Sequence, residues 1–125
     1  LDETSQGVLI EKERELTDKI GENVSEKVLA TYALAYALNP DDEKIVKQYV
    51  DGLLKVGKRD LAMYVASTLY QKKPYQRISL RLLGNAYFSF GDLTNAKKFY
   101  NLCLRYYPDD GLAMESLKLI DKQGQ

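Results

Sequence analysis

Apolar residues in the middle of the chain recur at the spacing of one helical face. The first such set, at i, i+3, i+4 and i+7, consists of Val46, Tyr49, Val50 and Leu53. This spacing predicts a helix over about residues 42–56. Gly57 follows, and glycine permits the tight turn that other residues resist. A second helix is predicted from about Asp60. Its inward residues are predicted to be Leu61, Val65, Leu69 and Tyr70.

The same two-helix pattern returns further along the chain. Its predicted inward residues are Leu80, Leu83, Tyr87 and Phe90 on the first helix, and Ala96, Tyr100 and Cys103 on the second, with Gly91 between them. Helices are also predicted around Leu9 to Ile20, from Lys27 to Pro40, and from Gly111 to Lys122, the last with Ala113, Leu117 and Ile120 inward. Aspartates at 41–42, 92 and 109–110 are placed to cap helices. No stretch shows the alternation typical of a strand. The predicted fold class is all-α, with about seven helices.

The three prolines of the chain mark a repeat. Pro40, Pro74 and Pro108 are separated by 34 residues each, and Gly57 and Gly91 have the same separation. A period of 20 to 50 residues is typical of a solenoid, in which each helical unit covers its open face with the next unit. Proline cannot donate a hydrogen bond into a continuing helix, so each proline is predicted to follow a helix end.

The stretch "LRLLGNAYFSFGDLTNAKKFYNLCLRYYP" resembles the tetratricopeptide repeat, which has 34 residues and the pattern W-x₂-L-G-x₂-Y, then A-x₃-F, then P. Leu80 stands in place of the family's tryptophan. The other signature positions are occupied by Leu83, Gly84, Tyr87, Ala96, Tyr100 and Pro108. The preceding unit matches less fully, because Val50 stands where the family has glycine and Ala66 where it has a bulky aromatic residue. The larger side chain at Val50 is predicted to hold the paired helices there slightly further apart.

The resemblance implies one tetratricopeptide-type domain over residues 1–125. Its predicted parts are a degenerate repeat at 9–42, a repeat at 43–76, a repeat at 77–110, and a capping helix and tail at 111–125. Solenoids need terminal elements with a polar outer face, and the last helix fits that description.

Candidate chemistry points away from catalysis. The chain has no histidine, which excludes a histidine-activated nucleophile, and it has one cysteine, so a usual zinc site is excluded. Cys103 occupies the position of Ala35 and Leu69 in the repeat, which predicts a buried, inert thiol. We therefore predict no enzyme activity, no catalytic residue, no cofactor and no metal. Of the ten tyrosines, six fall on predicted core positions: Tyr32, Tyr36, Tyr49, Tyr70, Tyr87 and Tyr100. Four lie outside them and are candidates for partner contact: Tyr64, Tyr75, Tyr106 and Tyr107.

Charge is distributed unevenly although its total is zero. Residues 1–26 carry eight acids and three bases, a net of −5, whereas residues 44–105 carry twelve bases and three acids, a net of +9. This asymmetry predicts an electrostatic partner for the middle section, which is an acidic protein segment, the chain's own N-terminal helix, or the same helix of a second copy. Zero net charge and a pI near 6.5 do not favour nucleic acid. Pentatricopeptide arrays, which bind RNA, run at 35 residues and lack this register of prolines and glycines.

The resemblance implies that the first helix of each pair lines a concave groove that holds an extended peptide or a partner helix. The predicted groove residues are Lys44, Lys47, Gln48, Asp51, Lys55, Arg81, Asn85, Phe88 and Ser89. Arg81 and Asn85 resemble the first pair of the family's carboxylate clamp, which grips the C-terminal carboxylate of heat-shock chaperones. The next helix offers Leu112 and Ser116 where the clamp has basic or amide groups, so a complete clamp is not expected. Lys47 and Arg81 are both expected to be solvated.

Two functions of different classes remain open at this point. The first is a protein–protein interaction module of adaptor, scaffold or chaperone type, which binds a partner peptide or helix in the groove. The second is a structural assembly subunit that self-associates or belongs to a longer array, with Val8, Leu9, Met114 and Leu119 as candidate contacts. No apolar stretch is long enough to span a bilayer. The sequence favours the cytoplasm and leaves a periplasmic or membrane-anchored parent protein open.

Overall fold

The computed structural model describes residue 12 and residues 26–123, and within 26–123 the chain forms six helices. Helix α1 covers residues 26–38. The others are α2 (Glu43–Lys55), α3 (Arg59–Lys72), α4 (Arg77–Ser89), α5 (Leu93–Tyr106) and α6 (Gly111–Gln123). No strand occurs in this described part, so the all-α prediction is confirmed. Six helices are described where about seven are predicted for the whole chain, and the predicted helix around Leu9 to Ile20 lies outside the described residues.

Three aspartates begin helices in the way that the sequence predicts. The Asp42 carboxylate accepts a hydrogen bond from the backbone N–H of Ile45 at 3.1 Å, and Asp92 accepts from Asn95 at the same distance. Asp110 accepts from the backbone N–H of Ala113 at 2.9 Å. Each carboxylate satisfies one of the N–H groups that a first helical turn leaves without a partner. Capping thus fixes the starts of α2, α5 and α6.

The helix ends also follow the sequence. Pro74 and Pro108 each lie two residues beyond the last residue of α3 and α5, and Pro40 lies two residues beyond the end of α1. Gly57 and Gly91 adopt φ angles of +82° and +78° in the turns of the two helix pairs. L-amino acids with side chains avoid this left-handed conformation, so glycine is required for both turns.

The helices stack as antiparallel pairs, α2 with α3 and α4 with α5, and each pair packs on the next element. A contact between α2 and α4 brings the first helices of the two pairs side by side. The core between the pairs is apolar, and aromatic rings join its layers: Tyr87 stacks on Phe99, and Tyr70 meets Phe99 edge-on. The six predicted core tyrosines are all buried or packed against this core. The first helices therefore share one face of the solenoid.

At the contact between their two helices, the two pairs place the larger residue on different helices. Gly84 of α4 leaves the space that the Tyr100 ring fills. At the equivalent positions of the first pair stand Val50 and Ala66, and both are fully buried. A larger residue on the first helix is thus matched by a smaller one on the second. The predicted wider spacing of α2 and α3 stays a prediction.

Three sequence predictions about side-chain placement need correction. Leu61 and Phe90 were assigned to inward faces, but they are 41% and 45% exposed, because they lie where α3 begins and just past the end of α4. Tyr107 is predicted to lie outside the core positions, as a candidate for partner contact, yet it packs against the core. Its hydroxyl donates to the backbone carbonyl of Tyr75 at 2.7 Å, and the Arg77 guanidinium lies 4.8 Å from its ring centre. The other three candidates for partner contact, Tyr64, Tyr75 and Tyr106, are exposed.

Candidate partner-binding groove

The shared face of the first helices carries a groove. At its centre is a cavity of about 270 Å³, formed by α2, α4 and α6 with one side chain from α5, and lined by Asp51, Leu54, Asn85, Phe88, Tyr100, Ser116 and Leu119. A smaller cavity of about 150 Å³ adjoins it and is lined by Lys47, Asp51, Ile78, Arg81, Leu82, Asn85 and Leu112. We call the surface formed by these two sets of residues the groove.

The structure brings five of the nine predicted groove residues together and separates the other four. The five that line the groove are Lys47, Asp51, Arg81, Asn85 and Phe88. Gln48 and Lys55 line a different cavity of about 820 Å³ between α1 and α2, which Asp51 also reaches. Lys44 is exposed on the first turn of α2. Ser89 accepts a hydrogen bond from Nε of Arg59 at 3.2 Å, so its hydroxyl is engaged with α3.

Arg81 is already engaged by a carboxylate of its own chain. Its Nε donates to Oδ2 of Asp110 at 2.7 Å, and its Nη2 contacts the same oxygen. The Arg81 side chain is 21% exposed, and that of Asp110 is fully buried. The expectation that Arg81 is solvated is therefore wrong. The pair arises because the capping aspartate of α6 comes to lie beside α4 when the second pair is completed.

Asp110 joins α4 to the start of α6 through one buried carboxylate. It caps α6, binds Arg81, and has Nε of Arg77 at 3.5 Å. Burial alone would raise the pKa of Asp110. The hydrogen bonds from Arg81 and from the Ala113 N–H outweigh burial and hold this pKa below its usual range. Burial and the nearby Asp110 charge raise the pKa of Cys103 to about 11, so its thiol stays protonated at neutral pH. The prediction that Cys103 is buried is confirmed.

Asn85 is oriented by a tyrosine from the second helix of its pair. The Tyr100 hydroxyl donates to Oδ1 of Asn85 at 2.5 Å. Because that oxygen is occupied, the Asn85 amide nitrogen remains as the donor to an incoming group. Burial raises the pKa of Tyr100, which keeps its hydroxyl protonated as the donor. Tyr100 reaches the groove only because Gly84 has no side chain in its path.

Sequence reasoning missed most of the apolar part of the groove. Leu54, Tyr100 and Leu119 line its centre, and only Phe88 among the apolar lining residues was assigned there. A signal for Leu54 exists, because Lys47, Asp51 and Leu54 lie at i, i+4 and i+7 on one helical face. No comparable signal exists for Tyr100, which belongs to a second helix and occupies a core position.

About half of the bases in the middle section are compensated by acids of the same chain. Six of its twelve bases lie within salt-bridge distance of a carboxylate: Lys47, Lys72, Lys73, Arg77, Arg81 and Lys97. All of them except Lys47 pair with acids from outside residues 44–105. For Lys72, Lys73, Arg77 and Arg81, the acids are distant in the sequence, and the solenoid brings them together at the repeat boundaries. Exposed pairs of this kind contribute little stability each, but they weaken the local field.

Two further properties concern the part of the chain that the structure describes. Within this part, no group of histidine, cysteine, aspartate and glutamate side chains could hold a metal ion. None of the helices described is long and apolar enough to cross a membrane.

Solved structures with a similar arrangement of helices are tetratricopeptide domains. The first such domain of human RPAP3 aligns with a TM-score of 0.70 at 16% identity, covering 87% of this chain and 86% of its own. The Sgt2 tetratricopeptide domain from Aspergillus fumigatus gives 0.70 at 16% identity, covering 88% and 74%. This chain has the tetratricopeptide repeat fold. No family model and no curated protein sequence matches it.

A third structure shows such a fold with a ligand. The first tetratricopeptide domain of Spaghetti (RPAP3), bound to the HSP90 peptide SRMEEVD, aligns with a TM-score of 0.69 at 18% identity, covering 95% of this chain and 94% of its own. The tetratricopeptide fold accounts for the shared face of α2 and α4, because successive repeats place their first helices in one row.

Proposed function

We propose that this tetratricopeptide domain is a protein–protein interaction module whose groove binds a peptide or helix of a partner. The observation that carries the proposal is the groove itself, in which α2, α4 and α6 jointly line a concave surface with apolar side chains and a few convergent polar groups. The domain is proposed to act without catalysis, in keeping with its lack of histidine. An adaptor, scaffold or chaperone role fits this activity, since a domain of this fold, from Spaghetti (RPAP3), binds an HSP90 peptide.

The nine groove residues predicted from the sequence have different roles in this proposal. Asn85 donates to the partner's backbone, and Phe88 supplies apolar contact. Lys47 and Asp51 border the groove, and Arg81 holds Asp110 beneath it. The remaining four, Lys44, Gln48, Lys55 and Ser89, lie outside the two cavities of the groove. We call them its rim, and of these only the two lysines are assigned a role. An acidic partner is favoured by Lys44 and Lys55, which are exposed on α2 and attract negative charge during encounter.

The test is capture of partners from the native lysate with two matched variants. Leu112 lines the groove and is 59% exposed, so Leu112→Glu places a charge in the groove while leaving the core intact. Leu34 on α1 is 63% exposed and serves as the control, Leu34→Glu. We expect a specific partner to be retained by the wild-type domain and by Leu34→Glu, and to be lost from Leu112→Glu. A partner lost equally from both variants would contradict binding in the groove.

The second candidate function is a structural assembly subunit. It is favoured by Met114 and Leu119, apolar residues of α6 that are 41% and 53% exposed. Against a longer array, Lys118 occupies the position in α6 that Gly84 occupies in α4, and its charged side chain is 70% exposed. A further helix that packed on α6 as closely as α5 packs on α4 would bury this charge. Light scattering of the purified chain separates the candidates, since an assembly subunit gains mass with concentration and an interaction module stays monomeric.

A further inference from the structure

We infer that the groove anchors an internal apolar side chain of its partner and does not recognise a free C-terminal carboxylate. This inference rests on the proposed function and specifies the class of partner. An apolar anchor in the groove is compatible with acidic residues elsewhere on the partner, which attract it to the domain during encounter. Three features of the described residues carry it: the state of the groove cations, the position of Asp51, and the apolar centre.

The cation best placed to bind a terminal carboxylate is already bound. Both the Nε and the Nη2 of Arg81 point at Asp110, whose side chain is fully buried. A partner carboxylate that took Arg81 would leave Asp110 buried without its strongest partner, and a buried charge without a partner is strongly unfavourable. Asp110 cannot turn away to water, because its other oxygen caps α6 through the Ala113 N–H. The chain's own carboxylate therefore occupies the place of a ligand carboxylate.

The second cation of the groove is accompanied by a carboxylate as well. Lys47 Nζ lies 2.8 Å from Oδ2 of Asp51, one helical turn further along α2. Asp51 borders both cavities of the groove. In the central cavity it is the only charged residue among those that line it. An incoming carboxylate would thus meet a pair that is already neutral, and it would find no cation among the residues that line the central cavity.

The centre of the groove is suited to an apolar group instead. Leu54 of α2, Phe88 of α4 and Leu119 of α6 converge there from three helices. Leu119 is 53% exposed, so a side chain that enters the cavity of about 270 Å³ removes its apolar surface from water. The polar groups beside them, on Asn85 and Ser116, are uncharged and match the backbone of a chain that passes through rather than one that ends.

The experiment titrates the ¹⁵N-labelled chain with two probes and follows its amide resonances. The first probe is SRMEEVD with a free C-terminus, the peptide named in the related complex. The second is an amphipathic peptide of about 20 residues, long enough to form a helix, acetylated and amidated, with leucines on one face. Two matched variants are titrated beside the wild type: Leu119→Ser in the groove and Leu34→Ser on α1.

We expect the amphipathic probe to shift resonances of Leu54, Phe88 and Leu119, and SRMEEVD to shift none of them. Leu119→Ser should weaken binding of the amphipathic probe by about tenfold, the effect of losing one leucine contact, and Leu34→Ser should not. Binding of SRMEEVD that disappears when its C-terminus is amidated would overturn the inference while leaving the proposed function intact. Binding of the amphipathic probe that is equal in both variants would also overturn it. If neither probe binds and the lysate yields no partner, the proposed function itself fails.

Discussion

A side-chain carbon added at Gly84 would lie 2.5 Å from Cε1 of Tyr100, closer than packed atoms tolerate. Tyr100 is buried and its hydroxyl is held by Asn85, so the ring has little freedom to move. We expect Gly84→Ala to lower the free energy of unfolding by about 1–3 kcal/mol through overpacking. Urea denaturation followed by circular dichroism measures this change.

Gly52 provides the matched control for that substitution, because it also lies within a first helix. An added carbon there would lie 3.2 Å from Cδ1 of Leu29, the flexible end of a side chain. Alanine favours a helix over glycine by about 1 kcal/mol, so Gly52→Ala should change stability little or raise it. Equal losses in the two variants would mean that contact with Tyr100 is not the cause.

The fold suppresses the reactivity of the Cys103 thiol. It is fully buried, and its pKa is raised to about 11 by burial and by the charge of Asp110. The thiolate is the reactive form, so at pH 8 the folded protein should hold about one thousandth of the thiol in that form. We expect a thiol reagent to modify Cys103 slowly in the native chain and rapidly in urea. Fast modification of the native chain would contradict the burial of this thiol.

At the scale of helices, Asp110 links α4 to the start of α6, and this link depends on pH. Its pKa in the folded chain lies below the ordinary value of 3.8, because the bonds from Arg81 and Ala113 outweigh burial. A group with a lowered folded pKa contributes stability above its unfolded pKa and loses it as pH falls through the folded pKa. We therefore expect the stability difference between the wild type and Asp110→Asn to be large at neutral pH and to shrink below pH 3.8.

The measurement is urea unfolding at a series of pH values, with Asp92→Asn as the control. Asp92 also caps a helix and has a lowered pKa, but its partners are the side chain and the backbone of Asn95 rather than an arginine. At neutral pH, Asp110→Asn should cost about 3 kcal/mol, since it weakens a buried pair, and Asp92→Asn should cost less. If the difference in unfolding free energy between wild type and Asp110→Asn did not vary with pH, Asp110 would not form an ionised pair with Arg81.

At the scale of the whole molecule, part of the charge that remains available for steering lies on the two rim lysines of the groove. Lys44 and Lys55 are exposed at opposite ends of α2, whereas half of the bases in the middle section face carboxylates. For an acidic partner we expect the double variant Lys44→Glu, Lys55→Glu to lower the association rate and its dependence on salt. Exposed charges act over about 10 Å at 0.1 M salt. We therefore expect the substitutions to change the association rate more than the dissociation rate.

The control reverses two exposed bases of α5, Lys98→Glu and Arg105→Glu, which changes the net charge equally away from the groove. Lys72 and Lys73 do not serve this purpose, because they hold Asp41 and Glu43 at the start of α2. Arg81 is also unsuitable as a charge-reversal site, because it binds the buried Asp110. Equal losses of association rate in both double variants would show that net charge, rather than the groove rim, directs the encounter.

Much of the architecture was predictable because its causes are local. The positions of Gly57 and Gly91, the prolines two residues past helix ends, and the capping aspartates each act within a few residues of the chain. The 34-residue period then required the helices to stack in pairs. Inward positions were harder to predict near helix ends, where Leu61 and Phe90 depart from the helical face that their spacing suggested.

The sequence by itself determined that this chain is an all-helical solenoid, since periodicity, turns and caps are encoded locally and repeat. Only the tertiary structure decided the character of the groove, because that depends on contacts between residues far apart in the chain. Asp110 contacts Arg81, which lies 29 residues earlier in the chain, and Tyr100 contacts Asn85, which lies 15 residues earlier. These contacts turn a stretch of high positive charge into a groove whose centre is apolar and whose main cation is already occupied. The local sequence pattern does not indicate which charged residues will form ion pairs in the folded chain.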